Sequence, residues 1–124
     1  MGPVNAVVDT NILIDYLNGS QKARRELDSF DNLHVSIVSW MEVLVGAADA
    51  DEESEIRQFL RRFQVHSVDE GIAERAVDIR RREKIRLPDA IIWGTAQHLG
   101  FALVTRNTRD FPRNNPGVRI PYKL

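Results

Sequence analysis

Val4-Asn5-Ala6-Val7-Val8-Asp9-Thr10-Asn11-Ile12-Leu13-Ile14-Asp15-Tyr16-Leu17 changes its period in mid-stretch. Val4 to Val8 is a short, mostly apolar run of the kind a buried strand needs, whereas Ile12, Leu13, Tyr16 and Leu17 recur at helical spacing. Asp9, Thr10 and Asn11 stand at the joint. A strand, a polar turn and a helix make the opening unit of an α/β domain, and the rest of the chain continues the alternation.

Asn18-Gly19-Ser20 closes the first helix, and Ser20 caps a second carrying Ala23, Leu27 and Phe30. A second strand is predicted over Leu33 to Val38. Ser39 then begins a third helix through Trp40 to Ala47, and the acidic segment from Asp49 to Glu55 opens a fourth that continues with Ile56, Phe59, Leu60 and Phe63. Gln64 to Val68 reads as a short strand. Asp69 caps a long helix bearing Ile72, Ala73, Ala76, Val77 and Ile79 and closing in the basic run from Arg80 to Arg86. Pro88 marks a new start, Asp89 to Leu99 is helical in period, Gly100 stops it, and Phe101 to Thr105 is another apolar strand. Val118 to Ile120 is the last. The predicted fold class is α/β, one domain over residues 1–124 with a mostly parallel central sheet of about four to five strands, helices on both faces and right-handed crossovers.

The composition supports a globular chain, with 43% hydrophobic and 28% charged residues over 124 positions, enough to bury a core without staples. No apolar stretch approaches the roughly 18 to 20 residues that span a bilayer, and Met1 to Asn5 lacks the pattern of an export signal, so a cytoplasmic location away from membranes is expected. The absence of cysteine excludes disulfides, thiolate zinc sites and cysteine nucleophiles. His34, His66 and His98 are scattered without metal-ligand spacing and read as structural. A net charge of −1 does not advertise a polyanionic partner, although 14 of the 17 cations are Arg, which suits forked contacts to phosphate or carboxylate.

The chemistry lies in the acids. Asp9 follows the first strand, Glu42 falls in the first turn of the helix after the second, and Asp89 opens the helix before the strand at Phe101 to Thr105. Open parallel sheets bind ligands outside the carboxyl ends of their strands, where Asp9 and the segment Thr105 to Asp110 should lie. Carboxylates crowded together take up protons unless a cation compensates them, and Mg²⁺ or Mn²⁺, which prefers oxygen ligands, can activate a water to attack phosphorus. Each acid also has a local explanation. Ser39-x-x-Glu42 matches a capping box, Asp89 after Pro88 suits a helix first turn, Asp9 can cap the first helix, and Asp110 before Phe111-Pro112 suits a turn. Arg80 to Arg86 fits either an RNA backbone contact or a solvated helix end, and Arg106, Arg109 and Arg113 fit phosphate contacts or charge compensation. Asp15, one helical turn after Asn11, fits a support behind the site but reads first as a surface residue, Asp49 to Glu55 as a solvated helix start, and Trp40, Met41, Leu44 and Val45 as core or dimer contact.

Four segments, in order, resemble the motifs of PIN-domain nucleases, VapC-type toxins in particular. They are Val7 to Leu17; Ser39-Trp40-Met41-Glu42-Val43-Leu44-Val45-Gly46; Leu87-Pro88-Asp89-Ala90-Ile91-Ile92; and Leu103-Val104-Thr105-Arg106-Asn107-Thr108-Arg109-Asp110-Phe111. The resemblance implies endoribonucleolytic cleavage with one or two Mg²⁺ or Mn²⁺ ions. It makes Asp9, Glu42, Asp89 and Asp110 the catalytic and metal-binding set, with Asn107 the rival for the fourth corner. Asp9 and Asp89 then hold the principal metal, Glu42 orients or deprotonates the attacking water, and Asp110 helps hold a second metal or water. Thr10, Asn11, Thr105 and Asn107 support the site, while Arg86, Arg106 and Arg109 bind RNA or compensate charge. The resemblance also implies an RNA substrate, a cognate VapB-type antitoxin and a homodimer. The other readings are a catalytically weak metal- and partner-binding module of the same fold and an RNA-processing nuclease without an antitoxin. A phosphatase using Asp9 as nucleophile would want a second acid two residues later, where this chain has Asn11.

Overall fold

The structure, a computed structural model, describes Gly2 and residues 4–123. Among the described residues five strands form one sheet: β1 (Asn5–Val8), β2 (Asn32–Ser36), β3 (Phe63–His66), β4 (Ala102–Val104) and β5 (Val118–Arg119). Six helices connect and cover them: α1 (Thr10–Leu17), α2 (Gln21–Asp28), α3 (Ile37–Val45), α4 (Ala50–Leu60), α5 (Glu70–Glu83) and α6 (Leu87–Leu99). Every strand pair is parallel, in the order β3-β2-β1-β4-β5. The chain lays β1, β2 and β3 outward in one direction, then crosses back to place β4 and β5 on the other side of β1. The order reverses beside β1, and open parallel sheets bind ligands at such a reversal, outside the carboxyl ends of strands such as β1 and β4.

Alternation along β1 divides the core. Ala6 and Val8 pack with Ile12, Leu13, Leu27, Val35, Val43 and Phe59 on the face covered by α1 to α4. Val7 points the other way and packs with Ala76, Ile79, Trp93, Leu103 and Phe111 on the face of α5 and α6. Burial on both faces is why β1 reads as an unbroken apolar run instead of an alternating one.

The strands are shorter than their apolar runs: β1 begins at Asn5, β4 covers only Ala102–Val104, β5 only Val118–Arg119, and β3 lies at Phe63–His66 in place of Gln64 to Val68. The larger correction is at the second strand. β2 stops at Ser36, and Ile37 and Val38 are already helical. Ser36 is the cap, its hydroxyl accepting the Val38 N–H at 3.1 Å, so the capping box that Ser39-x-x-Glu42 matches, the local alternative for Glu42, does not form. Ser39 is buried inside α3, and Glu42 lies beyond the first turn.

On the opposite face, α5 and α6 pack closely at Gly94. A Cβ there would stand 3.2 Å from the Ala76 nitrogen and 3.3 Å from the Ile72 carbonyl oxygen, so the glycine sets the approach of the two helices. α6 is entered through Arg86 with Pro88 in its first turn and ends at Gly100 in the left-handed region, φ 75°. Among the described residues no helix is long and apolar enough to cross a membrane.

Candidate active site

β1 delivers Asp9 to the reversal point, where its backbone N–H donates to the Val104 carbonyl at 2.9 Å and ties it to the end of β4. Asp9 is also the N-cap of α1, so the capping role and the site position coincide in one residue. Its Oδ1 accepts from the Thr10 N–H at 2.7 Å. Its Oδ2 accepts from the Thr105 hydroxyl at 2.7 Å and the Asn11 side-chain amide at 3.1 Å. The carboxyl is 3% exposed. Burial pushes its pKa up to about 6, against the Thr105 and Thr10 donors, and the charges of Asp89 and Glu42 push the same way as burial.

Glu42, exposed on α3, has Oε1 2.8 Å from the Thr10 hydroxyl oxygen, which also lies 2.9 Å from Ser39 Oγ. One hydroxyl carries one proton, so Thr10 donates to the carboxylate and Ser39 donates to Thr10. Asp89, in the first turn of α6, is 8% exposed. Burial raises its pKa, the Arg86 guanidinium lowers it, and Asp110 and Glu42 raise it again. Arg86 reaches Asp89 Oδ2 with Nε at 3.3 Å and Nη2 at 3.2 Å, setting a guanidinium beside that acid. Asp110 Oδ2 accepts from the Asn107 side-chain amide at 2.9 Å, while Asn107 Oδ1 accepts the backbone N–H groups of Arg109 and Asp110, each at 3.2 Å. The polar ends of Asn107 are thus engaged within its own loop.

The four acids are near enough for Asp89 and Glu42 to act on Asp9, and for Asp110 and Glu42 to act on Asp89. Among the described residues no three acid or histidine side chains yet converge into a group that could hold an ion. The donor chemistry nevertheless fits a hard divalent cation, being oxygen throughout, with two buried acids, Asp9 and Asp89, the second of which pushes the first toward its neutral form until a cation relieves it.

Asp15 is not the surface residue its polarity suggested. It is 4% exposed, and both its oxygens are used. Arg106 forks onto it, Nε to Oδ2 at 2.7 Å and Nη2 to Oδ1 at 2.9 Å, and the Tyr122 hydroxyl donates to Oδ2 at 2.8 Å. The one trace of this in the sequence was the spacing of Asn11 and Asp15, one helical turn apart on α1. Arg109 is exposed at the loop, and in the basic run Arg82 pairs with Asp78 at 3.2 Å along α5. His34 and His66 do meet, 2.9 Å apart across β2 and β3, with His34 also 3.0 Å from Asn5 Oδ1. Burial lowers both pKa values, as suits a neutral structural pair. Trp40 and Leu44 pack against the core, while Met41 and Val45 are exposed.

An acid at the end of a central parallel strand, facing acids from two following helices and the loop after β4, is the arrangement of a PIN domain. The PIN domain family model matches residues 6–115, and the chain belongs to that family. Ribonuclease VapC10 of Mycobacterium tuberculosis is 36% identical over 114 residues, covering 86% of this chain and 85% of that protein. A solved toxin-antitoxin complex from Klebsiella pneumoniae contains a chain that is 42% identical and superposes with a TM-score of 0.90 over 96% of this chain and 99% of that one. FitAcB from Neisseria gonorrhoeae shares the fold, with a TM-score of 0.80 at 22% identity over 96% of this chain and 99% of that one.

Proposed function

We propose that this chain is a divalent-metal-dependent endoribonuclease that acts as the toxin of a toxin-antitoxin pair. The observation that carries the reading is Asp9, a buried carboxylate at the strand-order reversal whose pKa is pushed up to about 6 beside three other acids. The kinship to a VapC ribonuclease and to a chain from a toxin-antitoxin complex supplies the substrate class and the biological setting.

Asp9 and Asp89 would hold the cation, with Asp110 preferred to Asn107 as the fourth acid because the Asn107 side chain is spent on its own loop. When bound, Mg²⁺ or Mn²⁺ supplies Lewis-acid stabilisation of charge at phosphorus and a water of lowered pKa. The chain's own groups do the positioning. Thr105, Thr10 and Asn11 fix the Asp9 carboxylate from three directions. Glu42 is oriented through Oε1 by Thr10, which leaves Oε2 to accept a proton from the attacking water. Arg86 and Arg109 place positive charge where an RNA backbone would approach.

The antitoxin-class partner is assigned to the groove lined by Ile14, Leu17, Val43 and Ile56, whose rim carries Glu42, Glu52 and Glu55. An apolar segment bearing basic residues complements that lining. A homodimer is part of the same proposal. The deciding experiment is cleavage of diverse RNAs with Mg²⁺ or Mn²⁺ by the wild type, Asp9→Asn and Asp89→Asn. Loss of at least about 100-fold in both variants is expected. A wild type inert on every RNA, or variants that cut equally well, sinks the reading.

A further inference from the structure

The loop between Thr105 and Asp110 is held from a direction that the acids do not explain. Asn11 and Asp15 lie four residues apart on one face of α1, and both grip Arg106. Asn11 Oδ1 accepts the Arg106 backbone N–H at 3.1 Å, and Asp15 takes the guanidinium in a two-point fork. One residue is thereby fixed at both ends. Its neighbours are the two that touch the acids: Thr105 donates to Asp9, and Asn107, whose N–H donates to Thr105 Oγ1 at 3.0 Å, donates its amide to Asp110.

The other side of Asp15 is closed by the carboxyl-terminal segment. Tyr122 donates its hydroxyl to Asp15, Arg119 forks onto the buried Glu26 of α2 with Nη2 at 2.9 Å from Oε1, and Lys22 donates to the Lys123 carbonyl at 2.9 Å. Three contacts therefore pin this segment across α1 and α2.

We propose that Arg106 is a positioning residue, and that Asp15 and Tyr122 make the carboxyl-terminal segment part of the machinery that sets the geometry between Asp9 and Thr105. A competing role for Arg106, as a contact to substrate phosphate, conflicts with its burial partner. Pulling the guanidinium away would leave Asp15, 4% exposed, as an uncompensated buried charge. The fork commits Nε and Nη2 to Asp15. The proposal rests on the nuclease reading for its kinetic consequence, but its structural and metal-affinity consequences stand apart from turnover.

Alanine at Asp15 or Arg106 threatens the fold by orphaning a buried charge, so the informative variants are Arg106→Lys and Tyr122→Phe in the full chain. Each is measured for Mn²⁺ affinity by calorimetry, for RNA cleavage at two salt concentrations, for Tm, and for the backbone amide shifts of Thr105 and Asn107. Arg106→Lys keeps the charge and loses the fork, and is expected to lower kcat and Mn²⁺ affinity by about tenfold with KM and its salt dependence unchanged. Tyr122→Phe is expected to move both in the same direction by less, with the Thr105 and Asn107 amides displaced in both variants. A raised KM with weakened salt dependence and intact kcat assigns Arg106 to phosphate and overturns the proposal. A lowered Tm with wild-type Mn²⁺ affinity, kcat and amide shifts overturns it equally, as a purely structural pair. If wild type cuts no RNA, the nuclease reading falls, while Mn²⁺ affinity and amide shifts still decide this one.

Discussion

Asp9 binds a proton more tightly in the folded protein than in the unfolded chain, where its pKa is about 3.9. With the folded value about 6, the native state holds the extra proton between these limits. Stability from this group is therefore highest below about pH 4, falls as pH rises through the window, and is lowest above about 6. The full difference is about 3 kcal/mol, of which about 1 kcal/mol returns between pH 7 and pH 5. In EDTA, the gain in denaturation free energy on acidification to pH 5 should be larger for wild type than for Asp9→Asn by that amount. Parallel pH curves would contradict it. Saturating Mg²⁺ at pH 7 should raise the wild-type Tm and leave Asp9→Asn nearly unmoved, because a cation that binds only the folded site stabilises it by mass action. Thr105→Val keeps the shape but removes the donor that holds Asp9 down, so the Asp9 pKa should climb further, with a stability loss of about 1 to 3 kcal/mol from the stranded polar partners. NMR titration of the Asp9 carboxyl carbon checks the first part and chemical denaturation the second. Asp9 was legible because an acid directly after a buried strand has few local uses. Asp15 was not, because its burial depends on Arg106 and Tyr122, which lie 91 and 107 residues further along the chain.

At the scale of the element, the strand-helix alternation could be read from hydrophobic period alone, while the second boundary could not. Ile37 and Val38 extend the apolar run of β2, and β-branched residues suit a strand as well as a helix start. Two serines then compete for the cap, and the S-x-x-E pattern favours Ser39. The choice falls to Ser36 because Ser39 is needed inside, against Thr10. Ser36→Ala should accordingly cost about 1 kcal/mol as a lost cap. Ser39→Ala should instead weaken the orientation of Glu42 and lower turnover more than stability, which unfolding and cleavage assays on the pair can separate. Gly94→Ala inserts a methyl where the α5 backbone stands 3.2 Å away, and should cost about 1 to 3 kcal/mol by forcing the two helices apart. A neutral result in thermal denaturation would mean that α5 yields.

At the scale of the whole molecule, the sheet order concentrates acids at the reversal beside β1 and leaves the groove of α1, α3 and α4 open next to Glu42. Leu17→Arg adds a cation to a groove whose natural occupant is expected to bring its own. If the proposed antitoxin fills that groove, the substitution should weaken its binding by at least about tenfold through lost apolar burial and like-charge repulsion, with the site acids untouched. Unchanged co-purification would move the partner elsewhere. The same strand order has a consequence during synthesis. β1 is made first but is central, and its neighbour β4, the Thr105 donor and the Arg106 and Tyr122 clamp all come from the last quarter of the sequence. Parallel pairing of such distant segments is slow to form and cannot start until both have left the ribosome. A nascent chain therefore carries Asp9, Glu42 and Asp89 before the loop that holds Asp9 has been made, and the site takes its geometry only once the last quarter of the sequence is free to fold.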